Sequence, residues 1–278
     1  MLAPLDNEVI FKKAFTDKFV LESFAKDILG IEFHAGKIET EKQFSPQAGN
    51  IDFRYDIFAE SVDHRIVVEL QRVEYDYHFD RFLNYHYSAI TELQRSHKEY
   101  KIEAEVYTIV LLTEAYTVKD KKTGMPVRDD VLISLSDPMT LSGEIREVCG
   151  HKLVFLNASN PHADTPKRYK AWLTLFNESI NNSAKPNIPE GNEAIKKVID
   201  IIDYDDLPSS VITEMKIAEA KKAKEAHLRS IIDEQVDALA EKDDALTKQA
   251  DTISLAVKAL EASGKSKNEI NRILGLSS

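Results

Sequence analysis

The feature that most constrains the fold is EVYTIVLL, an almost continuously apolar run from Glu105 to Leu112. A strand with one buried face alternates apolar and polar residues, whereas an unbroken apolar run of this length is typical of a strand covered on both sides. The hydrophobic fraction of the 278-residue chain is 43%, which is enough to build a packed core around such a strand. We therefore expect an α/β fold.

Residue patterns around this strand predict the order of the other elements. A helical apolar pattern runs from Val9 to Gly30, where the glycine suits a helix end. Period-two and short apolar runs predict strands, and a second amphipathic pattern predicts another helix before the apolar run. The predicted elements are strands at 37–44, 51–60 and 65–71, a helix at 76–97, strands at 105–112, VLISL and KLVFL, and a helix at 169–180.

Asn, Pro, Gly and Ser cluster between residues 181 and 192, which predicts a linker. The chain would then divide into a domain at 1–180 and a helical C-terminal region at 193–278. Within that region, residues 266–269 have the spacing of a capping box, which predicts a short last helix ending near Gly275.

One apolar set in the C-terminal region recurs every seventh residue, and comprises Ile232, Leu239, Leu246, Ile253 and Leu260. The intervening set counted three residues later is mostly polar, and comprises Leu228, Gln235, Lys242, Gln249 and Ala256. Two interpretations stay open: a solvated amphipathic helix, or a loose coiled coil that forms a homo-oligomer through residues 217–262.

Composition excludes several classes of protein. The formal net charge of −11 argues against broad, non-specific adhesion to nucleic acid or to anionic membranes. No run approaches the roughly 18 apolar residues that a membrane helix needs, and we recognise no secretory signal. The single cysteine rules out an internal disulfide and argues against a cysteine-based zinc site. We expect a cytoplasmic protein without membrane partners.

Two neighbouring strands, IDFRYDIFAE and RIVVELQ, carry the polar residues of greatest interest. If they form a hairpin with its turn at Val62 and Asp63, the register sets Asp56 opposite Glu69. Gln71 shares a strand face with Glu69 because side chains alternate along a strand. The same alternation predicts one apolar face on the first strand, formed by Ile51, Phe53, Tyr55, Ile57 and Ala59.

Two carboxylates that face each other repel unless a cation or a shared proton lies between them. Mg²⁺ suits such a pair, because it binds carboxylate oxygens together with water and phosphate oxygens. A metal in that position favours phosphodiester hydrolysis over acyl transfer. The alternative is structural, since antiparallel sheets often have one wet face on which Asp, Glu and Gln are common.

At this point the sequence resembles a known family. The order helix, three strands, helix, strand, with Asp on the second strand and Glu-x-Gln on the third, is similar to the PD-(D/E)xK nuclease superfamily, and more narrowly to its recombination-promoting nuclease and putative transposase group. The matching stretches are EVIFKKAF, IDFRYDIFAE, RIVVELQ and DYHFDRFLNYHYSAI. The resemblance implies a restriction-endonuclease-like α/β core with a three-stranded antiparallel meander, and a Mg²⁺-dependent endonuclease, with Mn²⁺ as a possible substitute, that acts on DNA in transposition or recombination.

The resemblance also assigns catalytic residues. Asp56 matches the metal-binding Asp of the family, and Glu69 matches the acid of its Glu-x-Lys position. Gln71 stands where the wider superfamily has a catalytic Lys, and an amide cannot carry a positive charge or relay a proton as Lys does. The narrower group resembles this chain in having Gln there.

Three further residues are auxiliary candidates. Glu8 lies near the start of the first helix, where the group usually has Asp; it is either an outer metal contact or an exposed acid favoured by the helix dipole. Asp52 is the alternative to Asp56. Arg81 would either contact phosphate or pair with a surface acid.

The departure at Gln71 and the acidic net charge keep a second function open. In that hypothesis the chain is a catalytically inactive nuclease-fold module that binds DNA or protein and oligomerises through its C-terminal helix.

Overall fold

The structure is a computed structural model. It describes residues 1–44, 53–72, 79–94, 102–114, 118–159, 162, 164–181, 185–188 and 190–275. Asp52, the predicted alternative to Asp56, lies outside these residues.

In the described chain, two helices, three strands, one helix and three more strands come first, and helices follow. In chain order they are α1 (Glu8–Phe15), α2 (Lys18–Leu29), β1 (Lys37–Phe44), β2 (Phe53–Glu60), β3 (His64–Gln71), α3 (Phe79–Thr91), β4 (Glu105–Leu112), β5 (Val131–Leu135), β6 (Lys152–Asn157), α4 (Lys167–Asn181), α5 (Glu193–Ile202), a short 3-10 helix (Tyr204–Asp206), α6 (Ser209–Ala262) and α7 (Lys267–Ile273). The predicted order of helix, three strands, helix and strand is present, with its first helix divided in two.

The strands form one mixed sheet of six strands in the order β1-β2-β3-β4-β6-β5. The first three strands are an antiparallel meander. β4 is parallel to β3, and β6 is parallel to β4. β5 closes the far edge in the antiparallel sense. The predicted α/β class and the predicted meander are therefore confirmed.

Helices cover both faces of the sheet. On one face, α1, α2, α4 and α5 pack over the sheet in the largest buried cluster of apolar residues, which includes Phe15, Trp172 and Val198. On the other face, α3 packs over the sheet through two smaller clusters. All but the first residue of β4 is buried. This explains the unbroken apolar run, because successive side chains of the central strand enter opposite cores.

The prediction of one helix over Val9 to Gly30 is wrong in one respect, since the helix is interrupted between α1 and α2. Asp17 is extended, and its carboxylate accepts a hydrogen bond from the Val20 N–H at 3.1 Å. An Asp in that role starts a new helix, because it satisfies a backbone donor that the helix itself cannot. Gly30 ends α2 in the left-handed conformation with φ 73°, as predicted.

The chain divides into two compact units, Met1–Ala218 and Glu219–Ser278. The boundary differs from the one predicted near residue 180, because α5 belongs to the core of the first unit. Ala194, Ile195, Val198 and Ile202 of α5 are all buried there. In the C-terminal region, α7 begins with the predicted capping box between Ser266 and Glu269. Among the described helices, none combines the length and the apolar character needed to cross a membrane.

Candidate metal centre

The β2–β3 hairpin has the register that the turn predicts. Ile57 pairs with Val68, and Glu60 pairs with Arg65. The ladder ends at the Ile57–Val68 pair, and Asp56 and Glu69 are the next residues beyond it on the two strands.

Asp56 and Glu69 hold each other's strands by side-chain hydrogen bonds. The Asp56 N–H donates to Glu69 Oε1 at 3.2 Å. The Leu70 N–H donates to Asp56 Oδ2 at 2.9 Å. Each carboxylate thus accepts a backbone donor from the opposite strand, and the two predicted metal ligands are neighbours.

An irregularity in the sheet sets the direction of Asp56. Ile57 joins the large core, but Tyr55 and Phe58 both join the core under α3. The prediction that Phe53 and Tyr55 share a face with Ile57 and Ala59 is therefore wrong, because the alternation breaks at Asp56. The β1–β2 register is the same on both sides of Asp56, so the break re-aims the side chain without inserting an extra residue.

The matching irregularity on β1 is Glu41. Thr40 pairs with Ile57 and Lys42 pairs with Tyr55, which leaves Glu41 and Asp56 facing each other. Glu41 has a φ of 54°, the left-handed region that a residue other than glycine seldom adopts. The backbone is therefore strained where the two acids meet.

Three carboxylates meet at this point. Single oxygens of Glu8, Glu41 and Asp56 all lie within 4.8 Å of one another. Glu8 comes from the first turn of α1, whose N-cap is Asn7. Glu8 is one of the predicted auxiliary residues. Glu41 is absent from the sequence prediction, since nothing in KIETEKQF indicates an irregular strand.

Basic side chains surround the three acids. The Lys12 ammonium, with a side chain 16% exposed, forms ion pairs with both Glu8 and Glu41. Arg54 pairs with Glu41 at 3.2 Å. The sequence prediction does not include Lys12, although Lys12 lies four residues after Glu8 on one helix, the usual spacing of an ion pair.

Gln71 is tied to α3 rather than to the acids. Arg81 Nη1 donates to Gln71 Oε1 at 3.2 Å, and Arg81 Nη2 donates to the Tyr85 hydroxyl at 3.3 Å. Gln71 is buried, while Arg81 is exposed. The roles predicted for Arg81, contact with phosphate or pairing with a surface acid, stay predictions.

Burial disfavours the ionised form of both central acids. It raises the pKa of Asp56, against the opposing effects of the Leu70 N–H and the Lys12 ammonium. It raises the pKa of Glu69 well above the usual value, and the nearby Asp56 carboxylate adds to the increase. A positive charge placed beside these two buried acids would stabilise their ionised forms.

A scan against protein-family models finds no match for this chain, and a search of the curated proteins finds none either. The family resemblance carried by the motifs therefore stays a prediction.

The residues fit a hard divalent cation. Mg²⁺ binds oxygen at about 2.0–2.1 Å, so two oxygens on one ion lie at most about 4.2 Å apart. The oxygens of Glu8, Glu41 and Asp56 lie within 4.8 Å of one another, close to that limit. An ion bound between them would displace the Lys12 ammonium from Glu8 and Glu41. Glu69 lies next to Asp56 but outside that acidic group. The metal pair of Asp56 and Glu69 stays a prediction.

Proposed function

We propose that this protein is a Mg²⁺-dependent DNA endonuclease that hydrolyses phosphodiester bonds in transposition or recombination. The observation that carries the proposal is the meeting of Glu8, Glu41 and Asp56 at a paired irregularity of β1 and β2, with Asp56 bonded reciprocally to the Glu69 strand. The resemblance of the motifs to PD-(D/E)xK nucleases supports the same function, as does the order of elements from α1 to β4.

In this proposal the acids divide into two roles. Glu8, Glu41 and Asp56 hold the cation, and Glu69 fixes the backbone of Asp56 through its hydrogen bond. A Mg²⁺ ion bound there would acidify a water molecule and balance charge developing on the phosphate.

The basic residues orient the DNA backbone. Arg81 and Arg54 are both exposed beside the acids, and guanidinium groups bind phosphate oxygens through paired hydrogen bonds. Gln71 holds Arg81 in place, and its amide keeps two N–H donors beyond that bond. Lys12 supplies the positive charge that Gln71 lacks, because its ammonium lies against Glu8 and Glu41.

Nicking of supercoiled plasmid tests the proposal. Wild-type protein should nick DNA with Mg²⁺ and stop when the metal is chelated. Asp56→Asn should lower the rate by about 100-fold or more, the scale seen when a group that stabilises transition-state charge is removed. Asp63→Asn is the matched control, because it makes the same change at an exposed acid in the turn of the same hairpin, and it should nick at the wild-type rate.

Two results would contradict this function. Equal nicking by wild type and Asp56→Asn would mean that the acids are not the site. Folded wild type that nicks with neither Mg²⁺ nor Mn²⁺ would mean that the chain is no nuclease.

One observation favours the second candidate function, a catalytically inactive module that binds DNA or protein. The Lys12 ammonium already pairs with two of the three acids, and an internal cation can take the place of a metal. That function predicts DNA or protein binding without turnover at every metal concentration.

A further inference from the structure

Helix α6 presents large apolar side chains that its own unit leaves exposed. Within the unit Glu219–Ser278, four of these residues recur at every seventh position and are between 48% and 63% exposed. They are Ile232, Leu239, Leu246 and Ile253. Scattered exposed leucines need no explanation, but a regular row of them on one helix marks a surface that another chain covers.

A second row runs beside the first. Val236, Asp243 and Ala250 are exposed and lie four residues after one member of the first row and three before the next. This row differs from the polar set counted in the sequence analysis, which lies three residues after each member. Together the two rows make an apolar seam from Ile232 to Ile253 that alternates steps of four and three, interrupted only at Asp243.

The seam has the period of a coiled coil. Its steps average 3.5 residues, whereas a straight helix has 3.6 residues per turn, so the seam stays in contact with a partner only if two helices wind around each other. Val236 is β-branched and sits where such residues favour two parallel strands, while Leu239 and Leu246 sit where leucine favours the same state.

The residues that flank the seam carry little charge, so two identical helices can approach along it without repulsion. The flanking residues of the central turns are Ala240, Lys242, Thr247, Gln249 and Ser254. Only Lys242 carries a charge, so parallel, in-register pairing brings no like charges together across the flanks. Each layer of the seam then meets its own copy, as a twofold interface requires.

We infer that α6 joins two copies of this chain as a parallel, in-register, two-stranded coiled coil along the seam from Ile232 to Ile253. The contact is independent of the proposed nuclease function. Asp243 is the one polar layer, and its neighbour Lys242 lies at the flank, where it can reach the partner's carboxylate. A single polar layer of this kind fixes the register and costs affinity.

Analytical ultracentrifugation of the full chain tests the inference. Wild type should form a dimer whose fraction rises with concentration. Leu246→Asp should weaken the dimer by about tenfold or more, because it places a charge in an apolar layer. Leu255→Asp is the matched control, since Leu255 is 68% exposed and lies on the far side of the helix from Ile253. It should dimerise like wild type.

The polar layer gives a test in the opposite direction. Asp243→Leu should tighten the dimer by about tenfold or more, while the same change at the adjacent exposed Asp244 should leave it unchanged. Circular dichroism at equal concentration checks that each variant is folded.

Cross-linking tests the direction of the helices. In a Cys149→Ser background, Ala250→Cys should form a disulfide between copies under mild oxidation, because a parallel register places the two sulfurs in one layer. A wild type and an Asp243→Leu variant that both stay monomeric would overturn the inference. So would equal weakening by Leu246→Asp and Leu255→Asp, a trimer or tetramer, or a dimer in which Ala250→Cys does not cross-link.

Discussion

Glu69 is an acid placed where its ionised form is costly. Only 5% of the residue is exposed, and it lies in a central region of the sheet. Burial and the Asp56 carboxylate both raise the pKa of its side chain. Such a residue lowers stability at neutral pH, and functional sites are where proteins accept this cost.

Glu69→Gln should therefore increase the free energy of unfolding at pH 8. Unfolded Glu69 ionises near its usual pKa of 4.5, while folded Glu69 keeps its proton to higher pH. Wild-type stability must then fall as pH rises through the interval between those two pKa values, by about 1.4 kcal/mol for each unit that separates them. The advantage of Gln should be absent below pH 4.5 and grow above it.

Urea unfolding followed by the fluorescence of Trp172 measures this difference, because the only tryptophan is buried in the core of the first unit. Glu103→Gln, at an exposed acid, is the control that should show no such growth with pH. If the difference in unfolding free energy between wild type and Glu69→Gln stayed constant or shrank as pH rises, the pKa of Glu69 would not be raised in the folded protein.

At the scale of elements, the paired irregularity of β1 and β2 brings the acids together. Glu41 keeps a left-handed backbone that glycine adopts without steric cost. Strain at one residue of an edge strand is maintained only when the surrounding structure or a function requires it.

Two substitutions separate backbone strain from charge at this position. Glu41→Gly should be more stable than Glu41→Gln by about 1 kcal/mol, because Gln keeps the strain and glycine relieves it. Both should lose nicking activity, since both remove a carboxylate from the cluster. Thermal unfolding and plasmid nicking on the same samples measure the two effects. Equal stability of the two variants would mean that the φ of Glu41 carries no strain.

Local patterns predicted the elements better than the site. The β2–β3 register follows from the length of the turn, so the approach of Asp56 to Glu69 was predictable. The paired irregularity was not, because counting alternate residues assumes that the strand is regular. Glu41 lies in that irregularity, so it has no local signal. Asp17 did carry one, since an Asp inside a helical pattern is a common start of a second helix.

At the scale of the whole molecule, the core of the first unit extends past the predicted linker. Ile195 and Val198 of α5 are buried against the helices that cover the sheet. The end of α5 is also bonded to the start of the chain, because the Ala3 N–H donates to the Ile202 carbonyl at 2.8 Å. Composition identifies a polar segment, but it cannot tell whether the helix beyond it returns to the same core.

The packing of α5 in the first unit predicts different stabilities for two truncated chains. A chain that ends at Ala218 should unfold cooperatively with Trp172 buried, because it keeps the whole first unit. A chain that ends at residue 190 should be unfolded, because it loses Ile195, Val198 and Ile202 of α5. Each of these buried side chains is worth roughly 1.5–3 kcal/mol, out of a typical total of about 5–15 kcal/mol. Thermal unfolding compares them, and equal midpoints would contradict the assignment of α5 to the core.

The central claim is that the acids of α1, β1 and β2 form a binding site for a divalent cation. Titration calorimetry with Mn²⁺ and with Mg²⁺, on wild type, Asp56→Asn and the Asp63→Asn control, tests it without depending on any DNA substrate. Wild type and the control should bind one ion, and Asp56→Asn should bind it about tenfold more weakly or worse. A folded wild type that binds neither ion, or an Asp56→Asn variant that binds as wild type does, would contradict the claim.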